Sequence, residues 1–220
     1  MKLAVAAVVS LGLAAPAGTV VSFDDQRAGE VPRGMSCATT GNGRPGVWTI
    51  LADATAPTPP NVLAQTDDDS TGYRFPVCVL DAISLADVDL SIRFKSVKGA
   101  VDQAVGLVWR YRDKDNYYLL RANALENNLV LYKVEAGKRS ALKPRGAGMF
   151  AYGREARVPS GAWGALRVVV KGALFAGYLN GEKLFDVEDG TFADAGRVGV
   201  WTKADSVTYF DDLRIAPAAR

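Results

Sequence analysis

Short apolar runs broken by turn residues repeat along this chain, and within the runs apolar positions recur with a period of two. Val88-Asp89-Leu90-Ser91-Ile92-Arg93-Phe94 alternates residue by residue, as a strand with one buried face does. Ala104 to Tyr111 and Tyr117 to Ala122 are rich in β-branched and aromatic residues. They flank the polar turn Arg112-Asp113-Lys114-Asp115-Asn116, which predicts a hairpin. Further strands are expected at Thr19 to Phe23, Val47 to Leu51, Tyr73 to Leu80, Leu129 to Val134, Ala162 to Lys171, Leu174 to Leu179, Glu182 to Val187, Val198 to Thr202 and Val207 to Ile215. Asn180-Gly181 is a favoured hairpin turn between two of them. Arg27 to Asn61, rich in Gly, Pro, Ser and Thr, reads as long loops around the one strand at Val47, and Asp67-Asp68-Asp69-Ser70 as an acidic turn. No helical period is sustained, and no repeat, linker or second domain is evident. Roughly eleven short strands with frequent turns predict an all-β antiparallel β-sandwich or jelly roll.

The same alternation assigns faces. Val105, Leu107, Trp109 and Tyr111 share one face of their strand, and Gly106, Val108 and Arg110 the other. In the partner strand Tyr117, Leu119, Arg121 and Asn123 stand opposite Tyr118 and Leu120. Arg110 and Arg121 are therefore expected together on one solvated face, with Asn123, Asn128 and Tyr132 near them. Guanidinium and amide groups fork hydrogen bonds to sugar hydroxyls, although an antiparallel sheet also needs polar residues simply to face water. Of the four tryptophans, Trp163 reads as core, and Trp201, in Arg197-Val198-Gly199-Val200-Trp201, as the best surface for stacking on a sugar ring.

Composition narrows the chemistry. There is no histidine, which removes Ser-His-Asp and Cys-His catalysis, His-ligated zinc and any imidazole base. A net charge of +2 with both signs interspersed gives no basic stripe for nucleic acid. Acid–base work falls to carboxylates, and a glycosidase needs two of them about 5 to 9.5 Å apart, one with a raised pKa. No Glu-x-Asp-x-Glu strand exists. Glu126 is the best single candidate, with Asp102 and Asp115 behind it and more simply read as turn residues.

Residues 1–17, with Lys2, an apolar run from Leu3 to Ala15 and Ala15-Pro16-Ala17, read as a signal peptide. The mature protein is then one domain over residues 18–220, periplasmic or secreted, with no membrane span after cleavage; a retained anchor is the alternative. In an oxidising compartment Cys37 and Cys78 read as a disulfide, two buried thiols being the alternative.

The stretch Ala104 to Leu142, with Gly196-Arg197-Val198-Gly199-Val200-Trp201 and the strand to Ile215, resembles the concanavalin A-like (laminin G-like) jelly-roll superfamily. It is most similar to exported bacterial 3-keto-disaccharide hydrolase-like (family 16 glycoside hydrolase-like) domains. Gly106 and Arg110 match that family's first hairpin; Tyr178-Leu179-Asn180-Gly181 fits the wider superfamily. The resemblance implies a concave sheet face that binds sugars or peptides. It also implies a structural calcium between the N-terminal loop and the last strand, for which Asp24 and Asp211 would supply oxygens. No other cofactor is expected. Three functions follow as expectations. The first is a carbohydrate binder using Arg110, Arg121, Asn123, Asn128, Tyr132 and Trp201. The second is a keto-glycoside hydrolase or lyase with Glu126 as acid or base and Arg121 as electrophile. The third is a structural or protein-binding module.

Overall fold

A computed structural model describes residues 18–149 and 151–218; the signal peptide expected over residues 1–17 lies outside them. In chain order the strands are β1 (Thr19–Val21), β2 (Met35–Gly41), β3 (Trp48–Ala52), β4 (Asn61–Gln65), β5 (Arg74–Leu85), β6 (Val88–Lys98), β7 (Ala104–Asp113) and β8 (Asn116–Asn123). They continue as β9 (Asn128–Glu135), β10 (Lys138–Ala141), β11 (Arg154–Glu155), β12 (Trp163–Lys171), β13 (Leu174–Leu179), β14 (Glu182–Glu188), β15 (Gly196–Thr202) and β16 (Val207–Ala216). Two eight-stranded antiparallel sheets result. The first runs β14-β13-β12-β6-β16-β4-β3 with β1 on β16; the second runs β10-β9-β8-β7-β15-β5-β2 with β11 on β9. Among the described residues there is no helix long and apolar enough to cross a membrane.

The sheets stack through the inward positions the alternation predicts. Leu90, Ile92 and Phe94 of β6 and Leu166, Val168 and Val170 of β12 meet Leu107, Trp109, Tyr118 and Leu120 of the second sheet, all buried. Each such side chain contributes roughly 1.5–3 kcal/mol through burial, which makes this interleaving the main force holding the layers together. The hairpin at Asn180-Gly181 forms as expected, with φ of 50° and 87°, the left-handed pair a two-residue turn needs.

Four strands escaped the sequence reading. β2 (MSCATTG) has small and polar residues because it is an edge strand, and β4 (NVLAQ) is buried at every position, so neither alternates. The expected loop region Arg27 to Asn61 therefore contains β2 as well as β3. β10 and β11 are short and exposed pieces laid end to end along the free edge of β9. Trp163 also differs from expectation: it lies half-buried on the outer face of the first sheet, with Lys95 Nζ 5.9 Å from its ring. Cys37 stands opposite Cys78 in the β2–β5 register, and the two form a disulfide, which removes the free-thiol alternative.

Candidate functional site

The second sheet has an outer face that is not polar. Phe75, Val77, Val108, Tyr111, Tyr117, Leu119, Val130, Tyr132 and Trp201 form a second apolar cluster there, all buried. Coiling of the sheet explains the burial. β5 and β10 are five strand spacings apart, about 24 Å on a flat sheet, yet Tyr73 Oη donates to the Gly137 carbonyl at 3.1 Å and accepts from Arg139 N–H at 2.7 Å. At the same corner Thr40 on β2 bonds the Lys114 carbonyl and Tyr117 Oη. Diagonally opposite corners therefore meet, and the outer face becomes the lining of a concave, aromatic-filled trough. Arg139 reaches into it, its guanidinium 4.5 Å from both the Phe75 and Tyr132 ring centroids and 5.8 Å from Trp201.

This geometry changes the expected site residues: Arg121, Asn123 and Tyr132, expected on a solvated face, are each no more than 2 % exposed, and two others depart further. Trp201 is on the expected face but is fully buried, stacked on Phe75 at 5.4 Å and donating to Tyr117 Oη, so its ring offers no open surface. Arg110 is on the opposite face from Arg121. A β-bulge after Trp109 gives Arg110 a φ of 48° and turns Tyr111 outward. The Arg110 guanidinium points between the sheets and donates to the carbonyls of Ala86 (2.9 Å), Phe192 (2.6 Å) and Gly172 (2.7 Å). Those bonds tie loops together.

The remaining candidates do converge, on the corner of the trough that stays open. Arg121 Nη1 and Nη2 fork onto the two carboxylate oxygens of Glu126 at 3.0 and 2.9 Å, and Nη2 also donates to Asn128 Oδ1. Asn128 Nδ2 donates back to Glu126 at 3.0 Å. Asn123 Nδ2 stands 2.7 Å from Asp102 and 3.0 Å from Glu126, and Lys203 Nζ lies 2.5 Å from Asp102. Asp102 is thus no solvated turn residue but a buried partner, 2 % exposed. Arg121 is 1 % exposed while the Glu126 side chain is 38 % exposed, so a buried cation holds a carboxylate at the surface. The local chain produces this directly: β8 ends at Asn123, whose side-chain oxygen caps the Leu125 N–H, and Asn127 takes a φ of 49° to start β9.

Over this cluster lies Tyr152, which the sequence reading missed. Its ring is half exposed, 6.0 Å from the Arg121 guanidinium and edge-on to Tyr132 at 6.1 Å, with the two phenols hydrogen-bonded. A lone tyrosine before Gly153 carries no periodic signal; only the pairing of β11 with β9 brings it here. Next to Glu126 opens a groove of about 1000 Å³, lined among others by Asn127, Glu155, Arg157, Ser160 and Asn180.

Partial burial pushes the Glu126 carboxyl up, but the Arg121 guanidinium and the Asn128 amide outweigh it and hold the group below the usual glutamate range. A general acid needs the reverse, so the geometry suits Glu126 as a fixed hydrogen-bond acceptor. Asp115 sits in the β7–β8 turn, ion-paired with Lys114, away from this cluster. Asp24 and Asp211 do come together, around the 58–61 loop. Asp24 accepts the Asn61 N–H at 2.9 Å, and Asp211 accepts those of Thr58 at 2.8 Å and Asp212 at 2.7 Å. Asp24 Oδ1 and both Asp211 oxygens are engaged by backbone donors, and among the described residues no group of three or more His, Cys, Asp or Glu is arranged to hold a metal. Burial, only partly offset by those N–H groups, raises Asp211 to about 6.

No protein-family model matches this chain, and no curated protein matches it in sequence. Solved structures do match in shape. The carbohydrate-binding module CBM66 from Bacillus subtilis has a TM-score of 0.61 at 18 % identity, over 80 % of this chain and 92 % of that one. The cellulose-induced protein Cip1 gives 0.59 at 14 %, over 88 % and 95 %. Domain 4 of AbnA, a GH43 extracellular arabinanase from Geobacillus stearothermophilus seen with arabinotriose, gives 0.56 at 15 %, over 92 % and 94 %. A Bacillus subtilis protein described as having a galectin-like fold gives 0.55 at 12 %, over 84 % and 90 %. The likeness shows the fold: this chain is an antiparallel β-sandwich with a galectin-like fold.

Proposed function

We propose that the protein is an exported carbohydrate-binding β-sandwich that holds a glycan at the open corner of its concave sheet. Tyr152 supplies the stacking surface in this reading, and Glu126 and Asn128 the polar contacts, with Arg121 and Asn123 as the buried groups that fix them. The observation that carries it is a half-exposed aromatic ring beside a carboxylate and amides already locked by a buried guanidinium. Sugars are bound in this way, through an apolar ring face and a few preset hydrogen bonds, and preorganisation lowers the ordering cost of binding. The groove beyond Glu126 gives a longer chain room to continue. That matched folds include a carbohydrate-binding module and an arabinotriose complex agrees with the reading.

The test is a glycan-array screen of the protein from Gly18 onward beside Tyr152→Ala and Glu126→Gln, with folding checked by circular dichroism. Binding that falls at least tenfold in both variants is the expected result. Retention of no glycan by folded protein, or equal retention by all three, overturns the proposal.

A further inference from the structure

Arg139 is a cation without a counter-ion. It stands on the edge strand β10, opposite Val134 of β9, and lays its guanidinium among Phe75, Tyr132 and Trp201. Among the described residues no carboxylate pairs with it and no acceptor takes its side-chain N–H groups; Nη1 is buried and unpartnered. Arg121, 5.6 Å from the same Tyr132 ring, likewise leaves Nε buried without an acceptor. The two cations of the adjoining cluster are paired, Arg121 with Glu126 and Lys203 with Asp102. A positive charge is left over at Arg139, half-buried at the rim of the trough.

Aromatic faces attract a guanidinium but do not satisfy N–H groups that point along its plane, and a desolvated donor without an acceptor is costly. The matching group is a planar or tetrahedral oxyanion, which takes two parallel N–H bonds from an arginine fork. Hydroxyl groups of a neutral sugar fill the hydrogen bonds but leave the charge.

We infer that the glycan bound here is acidic, carrying a carboxylate or sulfate group that pairs with Arg139 while a ring of the chain stacks on Tyr152. This rests on the glycan-binding reading above and narrows it to a ligand class. Arg139 then sets specificity, and Arg121 sets geometry.

Calorimetric titration of the full chain with oligogalacturonate, a sulfated galactan oligosaccharide and a neutral galactan oligosaccharide tests this. Arg139→Gln and Arg139→Lys are measured beside the wild type, at low and at high salt. The expected result is binding of one acidic ligand at least tenfold tighter than the neutral one, weakening as salt rises. It falls at least tenfold in Arg139→Gln and in part returns in Arg139→Lys. The arm that binds tells carboxylate from sulfate. Equal binding of neutral and acidic ligands, or unchanged binding of the acid by folded Arg139→Gln, overturns the acidic inference and leaves the glycan reading standing. Failure of all three ligands to bind overturns both. Near-ultraviolet circular dichroism reports folding, since Trp201 lies under the substituted side chain; if Arg139→Gln does not fold, Arg139→Lys and the salt series decide.

Discussion

Replacing Arg110 with methionine separates a structural arginine from a ligand-binding one. Arg110 is 2 % exposed, and its guanidinium closes three backbone carbonyls from three different segments, at Ala86, Gly172 and Phe192. Hydrogen bonds to a charged donor are worth roughly 1.5–3 kcal/mol each. Only the Phe192 bond is wholly buried; the other two carbonyls are partly exposed and regain water, so their loss counts for less. Methionine keeps the stem packed on Phe175, whose ring centroid lies 5.7 Å from the guanidinium, so the apolar contact largely survives. The net expectation is a loss of about 3–5 kcal/mol, a large share of the roughly 5–15 kcal/mol that holds a domain folded. Urea unfolding followed by far-ultraviolet circular dichroism measures it as a shifted midpoint with an unchanged slope. Glycan affinity per folded molecule stays at the wild-type value, because the side chain faces away from the trough. A loss below about 1 kcal/mol, or a folded variant that no longer binds, refutes the assignment of Arg110 to the scaffold.

Two further outcomes are expected. Reducing the Cys37–Cys78 disulfide, which spans 41 residues, lowers stability by about 4 kcal/mol on the loop-entropy model; urea midpoints with and without reductant check this, and coincident midpoints contradict it. Asp211, raised from 3.8 to about 6, binds its proton more tightly folded than unfolded, so its ionisation costs stability as pH rises through that window, the full cost standing above about pH 6. The melting temperature of Asp211→Asn relative to wild type therefore climbs between about pH 4 and pH 7, and a difference that stays flat contradicts the assignment.

Much of the sandwich was legible because burial on one side leaves a period of two. β6 shows this best, with Asp89, Ser91 and Arg93 outward and Leu90, Ile92 and Phe94 inward. The face assignment of β8 held for the same reason, from Tyr117 to Leu120. It failed in β7 at Arg110 and Tyr111, since a bulge after Trp109 that composition does not mark moves each to the other side. The polar cluster was half legible: Arg121, Asn123, Glu126 and Asn128 sit within one turn of chain. Its completion by Tyr152, Lys203 and Arg139 depends on sheet coiling and edge pairing between distant segments, and no local pattern carries that information. Trp201 shows the same limit, since a strand's alternation fixes which face a ring takes but not what covers it.

The two edges of the second sheet are fastened unequally. β2 is stitched covalently to β5 through Cys37 and Cys78, whereas β10, four residues long and largely exposed, is held by its ladder with β9 and by Tyr73. Any uncoiling of the trough therefore begins at β10, and Arg139 leaves the aromatic rings when it does. Fraying of this one short edge carries Arg139 off Phe75, Tyr132 and Trp201, which couples exposure of the deep aromatic surface to the pairing of β10 with β9.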